Sequence, residues 1–225
     1  VINPKSYCEL FCGGNLKEIN KKIISENDLI LLKEGDRSLY FSMIENNPKN
    51  PIVALVGLCP GFNQISKLVE DFNSHGNFSK AKENASFNKA NKNISLMLRK
   101  VEIDKFLKFE IEDYFDFNNS EYFLTTSLVK CASLKEGKGR SDEFNPLKFD
   151  FAKKCIKNKF LKDILSRSSL KKIIFFGKKN EFIINEKLIG DKSIRETLVE
   201  NGKEVIILPH PSGSNNGGVA KFLRS

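Results

Sequence analysis

The sequence predicts an α/β protein, a three-layer α/β/α sandwich around a central four-stranded, mainly parallel sheet. Two observations predict it. Four short β-rich apolar runs are spread along the chain, Ile52–Gly57, Tyr122–Val129, Lys172–Gly177 and Glu204–Leu208. Helix-like segments with apolar residues three and four apart lie between them, and strands alternating with helices read as parallel β-α units.

The first, third and fourth runs are close to continuously apolar, as expected of strands covered on both faces. The second is more mixed, with Thr125, Thr126 and Ser127 near its end. Helical spacing marks Asn93–Val101 and Phe151–Leu165, and shorter helices are expected over Asn180–Leu188, Lys192–Val199 and Val219–Leu223. No internal repeat and no low-complexity linker interrupts the 225 residues. At roughly 150 residues per domain, the expectation is one domain over residues 1–225.

Lys and Arg total 37 against 28 acidic residues, a net charge of +9. Such a chain attracts polyanions, of which nucleic acid is the commonest. A Lys-, Asn- and Ile-rich composition also follows from an A/T-rich coding sequence, and the scarcity of Arg beside Lys fits that reading. No run approaches the ~20 apolar residues of a membrane helix. The opening Val-Ile-Asn-Pro-Lys lacks the basic start and apolar stretch of a secretory leader. The expectation is a cytoplasmic monomer without a membrane anchor. Cys8, Cys12, Cys59, Cys131 and Cys155 make an odd set, which argues against a disulfide framework and toward metal binding or catalysis.

In a parallel sheet, ligands bind beyond the carboxyl ends of the strands. Two of the four strand ends carry unusual loops. One is Gly57-Leu58-Cys59-Pro60-Gly61-Phe62-Asn63-Gln64, and the other is Pro209-His210-Pro211-Ser212-Gly213-Ser214. The glycines and proline of the first give a tight turn that backbone can bring close to a ligand. Neither G-x-G-x-x-G nor G-x-x-x-x-G-K-[ST] occurs, which removes most support for dinucleotide binding or nucleoside triphosphate hydrolysis. His210 is one of only two histidines. Its flanking prolines stiffen the backbone, and Ser212 onward offers small residues and free amides to a phosphate. His75 lies in a polar stretch and reads as a surface residue.

Together, in this order and at these strand ends, the loops resemble those of the uracil-DNA glycosylase superfamily. Gly57-Leu58-Cys59-Pro60-Gly61 is similar to its G-x-x-P-[GY] turn, and His210-Pro211-Ser212 to its H-P-S loop. Ser127-Leu128-Val129-Lys130-Cys131 resembles the N-x-V-K-C strand end of the iron–sulfur branch, and Lys172–Gly177 followed by Lys178 its glycine-terminated third strand. Cys8, Cys12, Cys131 and Cys155 follow the order of that branch's four cluster ligands. The likeness runs from Cys8 to Ser214.

The resemblance implies a DNA glycosylase that removes a damaged or modified base and leaves an abasic site. It implies His210 beside the base carbonyl, a first loop (Gly57 to Gln64) against the substrate, and Phe87 stacked on the extruded base, with Phe72 and Phe78 as substitutes. It implies Pro211, Ser212, Gly213 and Ser214 along the DNA, and a [4Fe–4S] cluster on the four cysteines, zinc being the alternative for such thiolates. Lys138 and Arg140, in the basic stretch Leu134–Pro146, are further candidates for phosphates.

The sequence departs from the family in four places. Cys8 and Cys12 have three residues between them where the branch usually has two. Leu58 and Cys59 stand where a water-activating acid or amide is usual, which leaves Asn63 or Gln64 to orient water and Asp71 as a base. Ser127 replaces the Asn that reads uracil's edge and so loses a paired amide contact. Gly213-Ser214-Asn215-Asn216 lacks a large apolar wedge. The expected substrate is therefore uracil or a bulkier modified pyrimidine, such as a modified cytosine of phage DNA, in repair or in defence. The alternative is a non-catalytic DNA-binding relative. A third reading is a small-molecule enzyme with Cys59 as nucleophile and His210 as its base.

Overall fold

The computed structural model describes residues 30–34, 37–40, 46–61, 90–135 and 144–225, with isolated helical or turn positions between 64 and 81. Its centre is a four-stranded sheet of β3 (Val53–Gly57), β4 (Phe123–Ser127), β6 (Lys172–Phe176) and β9 (Glu204–Leu208), in the order β4-β3-β6-β9. Every pairing in it is parallel. Val53 to Val56, Phe123, Leu124 and Ile173 to Phe175 are buried, as their unbroken apolar character requires. β4 is shorter than its apolar run: Leu128 and Val129 leave the strand, and their amides donate to the Gly57 and Leu58 carbonyls at 3.0 Å.

Helices cover both faces. On one lie α1 (Asn91–Lys100), the short α2 (Ile103–Leu107) and α6 (Asn216–Arg224); Ile94, Met97, Leu98 and Val219 pack there on Val53, Leu55, Ile174 and Leu208. Phe117 and Phe123 meet edge-on beneath them, rings 5.1 Å apart at 86°, the arrangement their quadrupoles favour. The other face holds α3 (Asp150–Ser166), α4 (Lys178–Asn185) and α5 (Ile194–Glu200), whose Phe151, Ile164, Ile183 and Leu198 pack on Ala54, Val56 and Ile173.

Three features differ from the expectation. The Phe151–Leu165 helix is real but winds as a π-helix over Ile156–Leu161; the wider turn lets Ile156, Phe160 and Leu161 join Phe151 and Cys155 in the core. The expected helices Asn180–Leu188 and Lys192–Val199 are trimmed by a hairpin, β7 (Lys187–Ile189) with β8 (Lys192–Ser193), turning at Gly190 with φ of 59°. Ser193 then starts α5 with a reciprocal capping box: its hydroxyl accepts from Glu196 N at 3.1 Å, and its own N–H donates to Glu196 Oε2 at 2.7 Å. A second, antiparallel sheet joins β1 (Ile30–Glu34), β2 (Arg37–Tyr40) and β5 (Ala132–Lys135). Leu134 and Lys135 thus belong to a strand rather than the expected surface loop.

Asn46 closes the outer edge of β4. Its backbone exchanges bonds with Thr125, N to Oγ1 at 2.7 Å and O from N at 3.0 Å. Its side-chain Nδ2 reaches the carbonyls of Phe117, Ser120 and Phe123 at 2.8–3.1 Å. One residue thereby satisfies an edge strand and the loop feeding it. Asn46→Ala should cost about 2–3 kcal/mol, since unsatisfied buried carbonyls are expensive. Urea unfolding would measure it, and an unchanged midpoint would mean that water replaces the amide.

Candidate functional site

The chain leaves β3 for β4 on one side and continues into β6 and β9 on the other. The switch point therefore falls between β3 and β6, where an open α/β sheet has its natural crevice. β3 ends there in Gly57, and Gly177 directly follows the last residue of β6. The flanking edge strands deliver Ser127 and the His210 loop. Three strand spacings, roughly 14 Å, separate the two edge strands.

Gly57 pairs in register with Ser127, and a Cβ on it would lie 3.6 Å from Ser127 Oγ. On the other side Gly177 has φ of 90°, and a Cβ there would come within 3.3 Å of His210 Cβ. That position therefore needs glycine twice over, for its backbone and for the ring packed on it. Gly177 N–H donates to Leu208 O at 2.7 Å, the last rung before the loop. Asn180, fully buried in the first turn of α4, fastens the parting strands. Its Nδ2 donates to Val56 O at 3.2 Å and Phe176 O at 3.0 Å.

The imidazole of His210 is held from its Nδ1 side. Ser212 N–H donates to Nδ1 at 3.3 Å, and Ser212 Oγ lies 2.9 Å from the same atom and 2.9 Å from Ser214 Oγ. A backbone N–H can only donate, so Nδ1 is the acceptor and the neutral ring carries its proton on Nε2. Partial desolvation lowers the pKa of His210 from 6.5, and because the residue as a whole is exposed, solvent tempers the effect. The group is a neutral N–H donor at neutral pH.

The first loop is organised differently. Leu58 and Cys59 are half-buried and pack against the hydrophobic core beside α3; Pro60 is buried and Gly61 exposed. Gln64 is committed to the turn itself: its Oε1 accepts from Gly61 N at 2.7 Å, and its N–H donates to Gly61 O at 2.9 Å. Asp71 pairs with Lys67 at 3.1 Å, its side chain mostly covered. Phe62, Asn63, Phe87, Lys138, Arg140, Cys8 and Cys12 lie outside the described residues, as do Phe72, His75 and Phe78.

Cys131 and Cys155 are both buried in the same cluster. Lys130 N–H donates to Cys155 Sγ at 3.4 Å, so the two thiols belong to one neighbourhood. An amide aimed at sulfur suits a thiolate ligand. Ile30 pairs with Tyr40, and Tyr40 with Ala132, the residue after Cys131. The chain thus enters β1 two strand spacings, roughly 10 Å, from Ala132. Among the described residues no group of three or more metal-ligating side chains occurs.

Sequence reasoning gave no role to Asn93, Asn180 or Asn215, nor to Lys179; Lys178, noted only as following the third strand, is exposed with Lys179 in the first turn of α4 at the strand-end face. Asparagines are frequent in this chain and carry no pattern of their own. Only the placement of Lys178 directly after a strand-ending glycine was available as a signal.

No protein-family model and no curated protein matches the chain. Among solved structures it is similar to the solution NMR structure of a "putative Uracil DNA glycosylase" from Methanosarcina acetivorans. The identity is 14% and the TM-score 0.38, over 82% of this chain and 92% of that one. A likeness of that degree carries nothing about activity. Among the described residues no helix is long and apolar enough to cross a membrane.

A lowered histidine pKa has a consequence of definite sign. The unfolded chain takes up the His210 proton near 6.5 and the folded chain only at lower pH, so acidification through that window favours unfolding. Above 6.5 the term is flat. In a His75→Gln background, leaving one histidine, NMR titration should place the His210 pKa below 6.5 with the proton on Nε2. A pKa at or above 6.5 would refute the arrangement.

Proposed function

We propose that the protein is a DNA glycosylase that hydrolyses the N-glycosidic bond of a damaged or modified base. The observation supporting this reading is His210 itself, its Nδ1 accepting from the Ser212 amide and its ring packed beside Gly177, which leaves Nε2–H as the donor of the neutral ring. Breaking an N-glycosidic bond leaves negative charge on the departing base and positive charge on the sugar. A fixed donor aimed at the base carbonyl stabilises that anion, and such donors are worth about 3–4 kcal/mol each. A neutral imidazole suits the task because it gives a hydrogen bond without requiring a proton to be taken from solvent.

The base is turned out of the helix into the crevice, between the glycine-floored strand ends, Ser127 and the His210 loop, with Phe87 as the stacking ring. Asn63 and Asp71 are the groups assigned to water, since Gln64 Oε1 is occupied by Gly61. Lys178, Lys179, Lys138, Arg140 and the Pro211–Ser214 stretch are assigned to the phosphates. Ser127 beside Gly57 leaves a small, single-hydroxyl wall where a paired amide would read uracil. This supports a bulkier modified pyrimidine, such as a modified cytosine of phage DNA, over uracil itself.

We assign Cys131 and Cys155, with Cys8 and Cys12, to a [4Fe–4S] cluster, with zinc as the other occupant such thiolates accept. Bound there, the group would supply cross-linking of the N-terminal segment to the β4 end and α3 rather than chemistry on the base. Protein purified without oxygen should show the broad visible absorbance and four irons of such a cluster, and Cys155→Ser should lose both along with thermal stability. A colourless, zinc-free wild-type protein of undiminished stability would dismiss it.

A second reading is favoured by Leu58 and Cys59, which turn toward the core and present no acid to a water. It is a non-catalytic reader of a modified base. Mass spectrometry of bases released from DNAs containing uracil, hypoxanthine or phage-type modified cytosines separates the two. Release that disappears in His210→Ala supports the glycosylase and names its substrate. Binding without release across the panel supports the reader. In either case DNA affinity should fall steeply with salt, in proportion to the phosphates neutralised.

A further inference from the structure

We propose that Asn215, seated against Gly218, is a positioning residue that aims His210, with Asn93 as its counterpart on α1; the inference rests on the glycosylase reading of His210. Beyond Leu208 the sheet offers the loop no further rung. Pro209 and Pro211 have no N–H to contribute, and the carbonyls of His210 and Pro211 are each taken instead by an asparagine amide. Asn215 Nδ2 donates to His210 O at 2.9 Å, and Asn93 Nδ2 donates to Pro211 O at 3.0 Å. Asn93 also reaches Asn216 Oδ1 at 3.3 Å, tying α1 to the start of α6.

Gly218 shows that the Asn215 contact is built in. A Cβ at that position would lie 2.6 Å from Asn215 Oδ1 and 2.9 Å from Nδ2, so an alanine there must push the amide aside. Glycine in a helix ordinarily costs about 1 kcal/mol relative to alanine, and here the missing side chain is the seat of the amide. With Gly177 behind the ring and Ser212 on Nδ1, the two amides fix the backbone that carries the imidazole. Neither touches the reacting atoms. They act through His210, as a displacement of the donor would weaken its bond to the leaving base.

The test compares Asn215→Ala, Asn215→Asp and Gly218→Ala with wild type on the DNA that wild type cleaves. Asn215→Asp keeps the size and removes the donor. Each variant should lose kcat by about 10- to 100-fold, as small misplacements do, while KM stays within about twofold. The melting temperature of Gly218→Ala should hold or rise, because alanine favours the helix; a merely structural role would lower it together with activity. The same variants in the His75→Gln background should show shifted His210 imidazole nitrogen resonances. Retained kcat, or unchanged imidazole resonances in all three, would overturn the positioning role. If wild type and His210→Ala are equally inert, the glycosylase reading fails instead, and the resonances still decide whether the amides set the ring.

Discussion

The parting of β3 and β6 is the constraint on which the site depends. A parallel sheet built in the order β4-β3-β6-β9 must send the chain to opposite sides of its first strand, and the strands separate where their ladder ends at Val56 and Phe175. The carbonyls beyond that point need donors. Asn180 provides one from α4, and the two terminal glycines keep side chains out of the opening. The position of the switch point is thus a product of topology, while the polar groups beside it come from the edge strands that flank it.

What the edges deliver is unequal. β4 brings Ser127 in register with Gly57, then continues along the first loop through the Leu128 and Val129 amides, so this side is rigid and largely apolar. β9 ends in a loop that leaves the sheet and is held by side chains: Gly177 behind the ring, Ser212 on Nδ1, Asn215 and Asn93 on the carbonyls. Such an arrangement suits a group that must be held in one orientation while remaining open to a ligand. The same packing acts to lower the basicity of His210, tempered by solvent because the residue stays exposed.

Legibility varied with the range of the interactions. The four central strands could be read because burial on both faces imposes continuous apolar runs, and α1 and α3 because one-sided burial imposes helical spacing. The hairpin β1–β2 and its partner β5 could not. Their pairing joins residues about a hundred positions apart, and Arg37-Ser38-Leu39-Tyr40 and Ala132-Ser133-Leu134-Lys135 are too short and mixed to announce a strand. The π-wound turn after Cys155 was hidden too, because a local periodicity does not say how far a helix will unwind to bury Phe160 beside Phe175. In the site, His210, Gly57 and Ser127 were visible as loop and strand-end residues. Asn93, Asn180 and Asn215 were not, because an asparagine's role lies in which carbonyl it meets.

By itself the sequence determined the layered α/β class, the ends of the four central strands, and the residues of the two glycine- and proline-bearing loops, since these follow from burial and backbone preference along the chain. Only the tertiary structure decided that the central sheet is wholly parallel, that Leu58 and Cys59 turn toward the core, that Gln64 serves its own turn, and which nitrogen of His210 carries the proton. Those outcomes depend on atoms brought together from distant segments, and no local pattern encodes a hydrogen bond between Asn93 and Pro211.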